Sequence, residues 1–474
     1  MSRIEMLPCR GGRLRSLAVL VAALSAGLCG RLCPAAPEPA PPRAAGKEKP
    51  SVVLILADDL TYRDVGCYGN SQVRTPNIDG LAAGGMRFTN AFTATAMCSP
   101  TRQQLYTGVF PVRNGAYPNH SRVKPGTKSV VHHLRGLGYR VALSGKTHFG
   151  PPESFPFERA KKPEQYIEEA GAEPFCLVAA FGSPHVPWPK AEGYDPDELS
   201  VPPYLVDTPE TRAALARYYT EITMLDGQVG RVLEAIERSG RAEDTMVIFT
   251  SEQGAQLPFG KWTCYDLGLR VALIVRWPGV VAPGSTSEAI VQYVDVVPTL
   301  VEAAGGDPRR CDTGLPGGPD GGRAFDGRSF LGVLSGERTE HGRYAFGVQT
   351  TKGIIDGKPY PVRSVCDRRM KYIRNLMPEA TFQNYLIRQN IEGFWDSWVA
   401  AAERDEFAAR RVKLYQHRPA EELYDLERDP FELTNLAERP EYREKMDALR
   451  RVLDGWMQQQ GDRGVETELG YKRR

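Results

Sequence analysis

The 474-residue sequence holds nine cysteines but no CxxC pair. That absence argues against a zinc ribbon. The wide scatter of Cys67, Cys98, Cys176, Cys264, Cys311 and Cys366 argues against a disulfide-dense scaffold. One or two disulfides stay open, and the spacing pairs none of them. A surplus of either charge is also missing, because the formal net charge is only +2. Nucleic-acid and anionic-membrane binders normally carry a basic excess, so neither partner is expected. An anionic substrate must therefore meet a local cluster of cations. No apolar run is long enough for a comfortable transmembrane helix, so no stable membrane association is expected. No internal repeat is evident.

What is present is the composition of a globular protein, 41% hydrophobic and 25% charged, in a chain too long for one small core. Residues 1–46 read as an export segment. "MSRIEMLPCRGGRLR" supplies four arginines, "SLAVLVAALSAGLCG" a short apolar run, and a Pro/Ala-rich linker follows. That run is the length of a cleaved signal peptide. Leu28 before Cys29 departs from a lipoprotein signal, which places a small residue there. Export leaves periplasm, medium and lysosome open.

The following residues alternate buried-strand runs with amphipathic stretches, the pattern of an α/β fold with a mostly parallel sheet flanked by helices. "SVVLILADD", "YRVALSGKTHFG", "FCLVAAFGSPH", "TMVIFTSEQG" and "VALIVRWPG" supply five strands. Helical periodicity marks "TPNIDGLAAGGMRF", "YVDVVPTLVEAAG" and the long stretch from "TPETRAALARYY" to "EAIERSG", which has a capped start and a Gly stop. A Gly/Pro/Asp-rich loop is expected near 305–327. We divide the chain into a larger domain over 47–344 and a smaller C-terminal α+β domain over 345–474, ending in a helix from about Tyr442 to Gln459.

Four of the five strands run into reactive side chains: Asp58 and Asp59; Lys146 and His148; His185; and Glu252 with Gln253, followed by Lys261. Ligands of open α/β sheets bind beyond the carboxyl ends of the strands, so parallel neighbours would bring these groups together. Adjacent carboxylates repel unless a cation neutralises them. The oxygens of Asp58, Asp59, Glu252 and Gln253 suit a hard ion, Ca²⁺ or Mg²⁺. A helix cap or solvated loop explains Asp-Asp alone, but not a second acid-amide pair after another strand. Lys146, His148, His185, Lys261 and Arg102 can each donate a hydrogen bond to a tetrahedral oxyanion. His120 in "YPNHSR" is either a substrate contact or a surface histidine. The position of a nucleophile falls to Cys98 in "TAMCSPTRQQLYTG". A soft thiolate is a poor partner for an oxygen-ligating metal, whereas an oxygen nucleophile made from that cysteine fits.

Cys98-Ser99-Pro100-Thr101-Arg102, with Leu105, Thr107 and Gly108 behind it, resembles the type I sulfatase signature C-x-P-x-R followed by L-x-T-G. The resemblance extends from "LILADDL" to "ELYDLERDPFELTNLA". It implies an alkaline-phosphatase-like fold and a formylglycine made from Cys98 by a formylglycine-generating enzyme. In that family one hydroxyl of the aldehyde hydrate attacks sulfur to give a covalent sulfate ester, and the other expels sulfate as the aldehyde re-forms. The resemblance further implies one Ca²⁺ ligated by Asp58, Asp59, Glu252, Gln253 and the modified Cys98. Arg102 would support the modified residue, while Lys146, His148, His185 and Lys261 bind sulfate and assist proton transfer. "FGSPHVPWP" and "GKTHFGPPESFPF" are most similar to heparan N-sulfatases, enzymes of glycosaminoglycan degradation. Two departures stand out. "SEQG" replaces the Asp-Asn or Asp-His of many sulfatases, and Lys261 replaces an arginine. The alternatives are a carbohydrate O-sulfatase or arylsulfatase, a phosphatase or phosphonate hydrolase of the same fold, and a non-enzymatic sulfated-glycan-binding protein. A homodimer is allowed, and no feature of the sequence requires one.

Overall fold

Fourteen short strands and a set of amphipathic helices follow the alternation of the sequence in a computed structural model, which describes residues 49–190 and 193–472. The expected export segment lies outside the described residues. The strands are β1 (Ser51–Ala57), β2 (Met86–Phe88), β3 (Ala91–Phe92), β4 (Arg140–Gly145), β5 (Glu158–Ala160), β6 (Phe175–Ala180) and β7 (Thr245–Ser251). They continue as β8 (Leu273–Arg276), β9 (Ser285–Ser287), β10 (Val291–Gln292), β11 (Ala345–Gln349), β12 (Val362–Cys366), β13 (Met370–Asn375) and β14 (Glu421–Asp425).

Eight of them form one sheet in the order β5-β4-β6-β1-β7-β8-β2-β9. From β5 to β7 every pairing is parallel, while β8 runs against both β7 and β2. The run "VALIVRWPG" is thus a strand, as expected, but the reversed one. All seven residues of β1 are buried. Because side chains alternate across a strand, Val53, Ile55 and Ala57 pack with the helix Pro209–Arg238 on one face. Val52, Leu54 and Leu56 pack on the other with Leu105 and with Val297 and Leu300 of the helix Val296–Ala303. Covered on both faces, the centre of this sheet leaves only its strand ends for chemistry. The long helix starts as its sequence suggests: Thr208 Oγ1 accepts from Thr211 N at 3.1 Å, and Pro209 stands in the first turn.

Strands β11 to β14 form an antiparallel four-stranded sheet in chain order. The helix Arg443–Gln459 packs against it, with Trp456 stacked on Phe346 at 4.9 Å. Between the two sheets, the 305–327 stretch is irregular apart from one turn of 3₁₀ helix, Pro308–Arg310. Each of the six described cysteines is free, so neither of the disulfides left open by the sequence forms among them.

Candidate active site

Strands β4, β6, β1 and β7 are consecutive neighbours running in the same direction, so their carboxyl ends share one edge. Lys146 follows β4, Asp58 and Asp59 follow β1, and Glu252 and Gln253 follow β7. His185 lies five residues past the end of β6, and its segment is tied to β1 through Asp58 N donating to Ser183 O at 3.0 Å. Asp59 has φ 65, a left-handed conformation that non-glycine residues rarely adopt and that clusters at functional sites.

Cys98 begins the helix Cys98–Thr107, all ten residues of which are buried. Pro100 lies in the first turn, where no backbone N–H is needed. Gly108 ends the helix at φ 68, and a Cβ there would stand 2.7 Å from the Phe325 ring. The signature glycine is therefore a packing requirement as well as a cap. With Cys98 in its first turn, the helix directs its positive dipole end toward the acids.

These elements bring the groups together closely. Cys98 Sγ is 3.9 Å from Asp58 Oδ1. Gln253 Nε2 donates to Asp59 Oδ1 at 2.6 Å and to Glu252 Oε1 at 3.1 Å, and lies 3.5 Å from the Cys98 sulfur. Lys146 donates to Asp58, and Lys261 Nζ donates to Asp59 Oδ2 at 2.5 Å. Arg102 Nε is 2.5 Å from Glu252 Oε2, and its Nη1 donates to Lys146 O at 3.1 Å. His185 Nε2 is 3.6 Å from Asp59 Oδ2, while its Nδ1 lies 2.5 Å from Val186 O. His148 pairs with His120, its Nε2 2.8 Å from His120 Nδ1. All ten sequence-chosen residues thus gather at one edge. Arg102 is directed inward, as a brace for the acids.

Burial and like charge set the protonation of this cluster. Burial, the Glu252 carboxylate and Asp59 push the Asp58 carboxyl well above the usual range. Burial also disfavours ionised Glu252, but Arg102 and Lys146 outweigh it and hold that carboxyl well below its ordinary value. The Cys98 thiol is pushed up by burial and by Glu252, so it stays protonated at neutral pH and is a weak nucleophile as it stands. Burial works against the charge on Lys146 and Lys261, yet the surrounding acids raise both. Burial, with the charges of Lys261 and Lys146, lowers His185.

The donor set fits a hard cation. One ligand atom each from Asp58, Asp59, Cys98 and Glu252 lie within 4.8 Å of one another. Gln253 Oε1 is buried with no hydrogen-bond partner among the described residues, and a half-turn of its amide exchanges that oxygen with the nitrogen now facing the acids. Three carboxylates in one buried cluster, one of them forced up, are what a divalent ion relieves.

Three participants escaped the sequence reading. Gln256 Oε1 accepts from Lys261 at 3.3 Å, the wholly buried Gln103 joins loops around the nucleophile's helix, and Asn119 Nδ2 lies 3.3 Å from His120 Nε2. Uncharged amides carry no charge pattern, and only "RQQ" beside the signature hints at one of them. His120 proves to be both an exposed histidine and a neighbour of the site.

The profile of the Sulfatase family matches residues 50–159 and 157–306. An ulvan-active sulfatase of Formosa agariphila is 34% identical over 447 residues, spanning 90% of this chain and 84% of that one. N-sulphoglucosamine sulphohydrolase of Homo sapiens is 29% identical over 468 residues, spanning 86% and 89%. Among solved structures, one described as a complex with its substrate D-glucosamine-2-N,6-O-disulfate superposes with TM-score 0.65 at 19% identity, covering 88% of this chain and 99% of that one. The phosphonate monoester hydrolase of Agrobacterium radiobacter gives 0.64 at 21%, covering 87% and 96%. The likeness to solved structures shows the fold, an alkaline-phosphatase-like mixed sheet with a C-terminal antiparallel sheet. The chain belongs to the sulfatase family, and as such is a hydrolase of sulfate esters or sulfamates.

Proposed function

We propose that this chain is an exported, Ca²⁺-dependent sulfatase that removes sulfate from sulfated sugars, with N-sulfoglucosamine as its first candidate substrate. One observation carries the reading: Cys98 heads a buried helix 3.9 Å from Asp58, inside a cluster of acids and lysines at the edge of a sulfatase-family sheet. Asp58, Asp59, Glu252 and Gln253, with the oxygen that replaces the Cys98 sulfur, hold the calcium. When bound, that ion neutralises the acids and polarises a sulfate oxygen. Conversion of Cys98 to formylglycine by a formylglycine-generating enzyme supplies an oxygen nucleophile where the buried thiol is inert.

The remaining residues bind, brace and move protons. Lys146 and Lys261 carry ammonium groups that exchange their carboxylate partners for sulfate oxygens. Arg102, locked on Glu252, keeps the nucleophile's helix and the β7 end in register. His185 donates Nδ1–H to the Val186 carbonyl, which leaves a bare Nε2 as the atom that takes up a proton from the attacking hydroxyl and then delivers it to the departing nitrogen or oxygen. His148 donates a hydrogen bond to a sulfate oxygen. The leader-like residues 1–46 support export, and among the described residues no helix is long and apolar enough to cross a membrane.

The N-sulfate preference draws support from the human N-sulphoglucosamine sulphohydrolase likeness. The higher identity to an ulvan-active sulfatase favours a second reading, an O-sulfatase of polysaccharide fragments. Sulfate release from N-, 6-O- and 2-O-sulfated glucosamine and from ulvan oligosaccharides separates the two. An aryl sulfate and an aryl phosphate run beside them test the sulfatase reading itself. Higher kcat/KM on the phosphate overturns it in favour of a phosphatase or phosphonate hydrolase.

A further inference from the structure

Gln103 ties both histidine loops to the nucleophile's helix. Its Oε1 accepts from Val123 N at 3.1 Å and Gly150 N at 3.4 Å. Its Nε2 donates to Ser121 O at 3.0 Å and Ser99 O at 3.1 Å. His120 and His148, in the two loops so anchored, both adopt left-handed backbone conformations, φ 55 and φ 51. A non-glycine residue stays there only under constraint. The constraint brings the rings together, with centroids 4.7 Å apart and His120 Nδ1 2.8 Å from His148 Nε2.

The hydrogen bonds along this chain have a direction. An amide NH₂ can only donate, and a neutral imidazole carries one N–H. In this orientation of its amide, Asn119 Nδ2, 3.3 Å from His120 Nε2, donates to that nitrogen, which puts the proton of a neutral His120 on Nδ1. That N–H donates to His148 Nε2. The proton of His148 is then on Nδ1, a buried atom with no hydrogen-bond partner among the described residues. Burial, with the neighbouring Lys146 and His120, lowers His148 to about 3, so its ring is neutral at physiological pH.

We propose that Asn119 and His120 are positioning residues that fix His148 as the Nδ1–H tautomer, so that it meets a sulfate oxygen only as a donor. The inference rests on the sulfate-binding duty given to His148 above, and it goes beyond that reading by naming what orients the ring. It also assigns the two site histidines opposite duties. His185 holds an unprotonated Nε2 3.6 Å from Asp59, and His148 carries its proton on Nδ1.

Histidine-labelled ¹⁵N protein at neutral pH tests the relay, with His148 assigned by its loss in His148→Asn. The resting wild type should show His148 protonated on Nδ1 and bare on Nε2. His120→Ala should move the proton to Nε2, the site free imidazoles favour, and lower kcat about tenfold at nearly constant KM, the scale of one oriented hydrogen bond. His120→Gln, whose amide can donate to His148 Nε2, should restore the tautomer and most of the rate. Nε2–H on His148 in the wild type overturns the proposal. So does an unchanged tautomer in His120→Ala. Because the tautomer is read on resting protein, Nδ1–H without sulfate release overturns the sulfatase reading alone, and Nε2–H with full sulfate release overturns the relay alone.

Discussion

Arg102 Nε stands 2.5 Å from Glu252 Oε2, with both side chains wholly buried, and this pair joins the nucleophile's helix to the end of β7. A buried ion pair adds little over a well-packed apolar pair, but removing one partner strands the other charge. Arg102→Ala leaves Glu252 with Lys146, at 3.8 Å, as its remaining ion pair among the described residues, and is expected to cost about 3–5 kcal/mol in urea unfolding. Sulfate turnover should fall with it, by about 10²-fold or more. A loss of stability below about 1 kcal/mol, the scale of an exposed pair, would remove Arg102 from its bracing role.

Calcium should stabilise the resting protein. At a hundredfold excess over its Kd, an ion that binds only the folded state adds about 2.7 kcal/mol. Chelator-treated protein is expected to melt at a lower temperature and to recover on addition of Ca²⁺. Asp59→Asn should abolish the response, because Asp59 contributes a ligand atom to the cluster and its Oδ2 accepts from Lys261. An equal calcium response in this variant would contradict the ligand set.

Acid should weaken the fold partly through a residue outside the site. His133 packs edge-on to Phe325 at 5.0 Å, and burial, with His132 and Lys128, lowers it to about 4. An unfolded histidine titrates near about 6.5, so between these values the unfolded chain binds the extra proton. Its contribution is therefore fully present above about pH 6.5 and is lost as the pH falls toward 4, at up to about 1.4 kcal/mol per unit. His133→Leu should flatten that part of the stability profile in urea titrations. A profile identical to wild type would show that His133 is not buried as a neutral group.

The strands and the acids at their ends were legible because burial on both faces demands uninterrupted apolar runs, and "LILADD" breaks such a run with two carboxylates. The nucleophile was legible through the spacing of Cys98, Pro100 and Arg102. The direction of β8 was not, since a four-residue buried strand reads the same whichever way it pairs. Gln103 was equally hidden. Its partners at Val123 and Gly150 are 20 and 47 residues away and donate to it through backbone N–H groups, which leave no trace in side-chain pattern. Nor could charge counting foresee that Arg102 faces Glu252 rather than the substrate side.

Replacing the nucleophile should separate chemistry from folding. The Cys98 sulfur lies 3.5 Å from Gln253 and 3.9 Å from Asp58, both long for hydrogen bonds, so Cys98→Ala should change stability by no more than about 1 kcal/mol while abolishing sulfate release. Residual turnover at the wild-type rate would displace Cys98 from the centre of the reaction.

The mass of the proteolytic peptide bearing Cys98, taken from protein that is actively releasing sulfate, tests the central claim most directly. Conversion of the thiol to an aldehyde makes that peptide about 18 Da lighter than its sequence mass, and this is the expected result. A peptide of unaltered mass from fully active protein would contradict it.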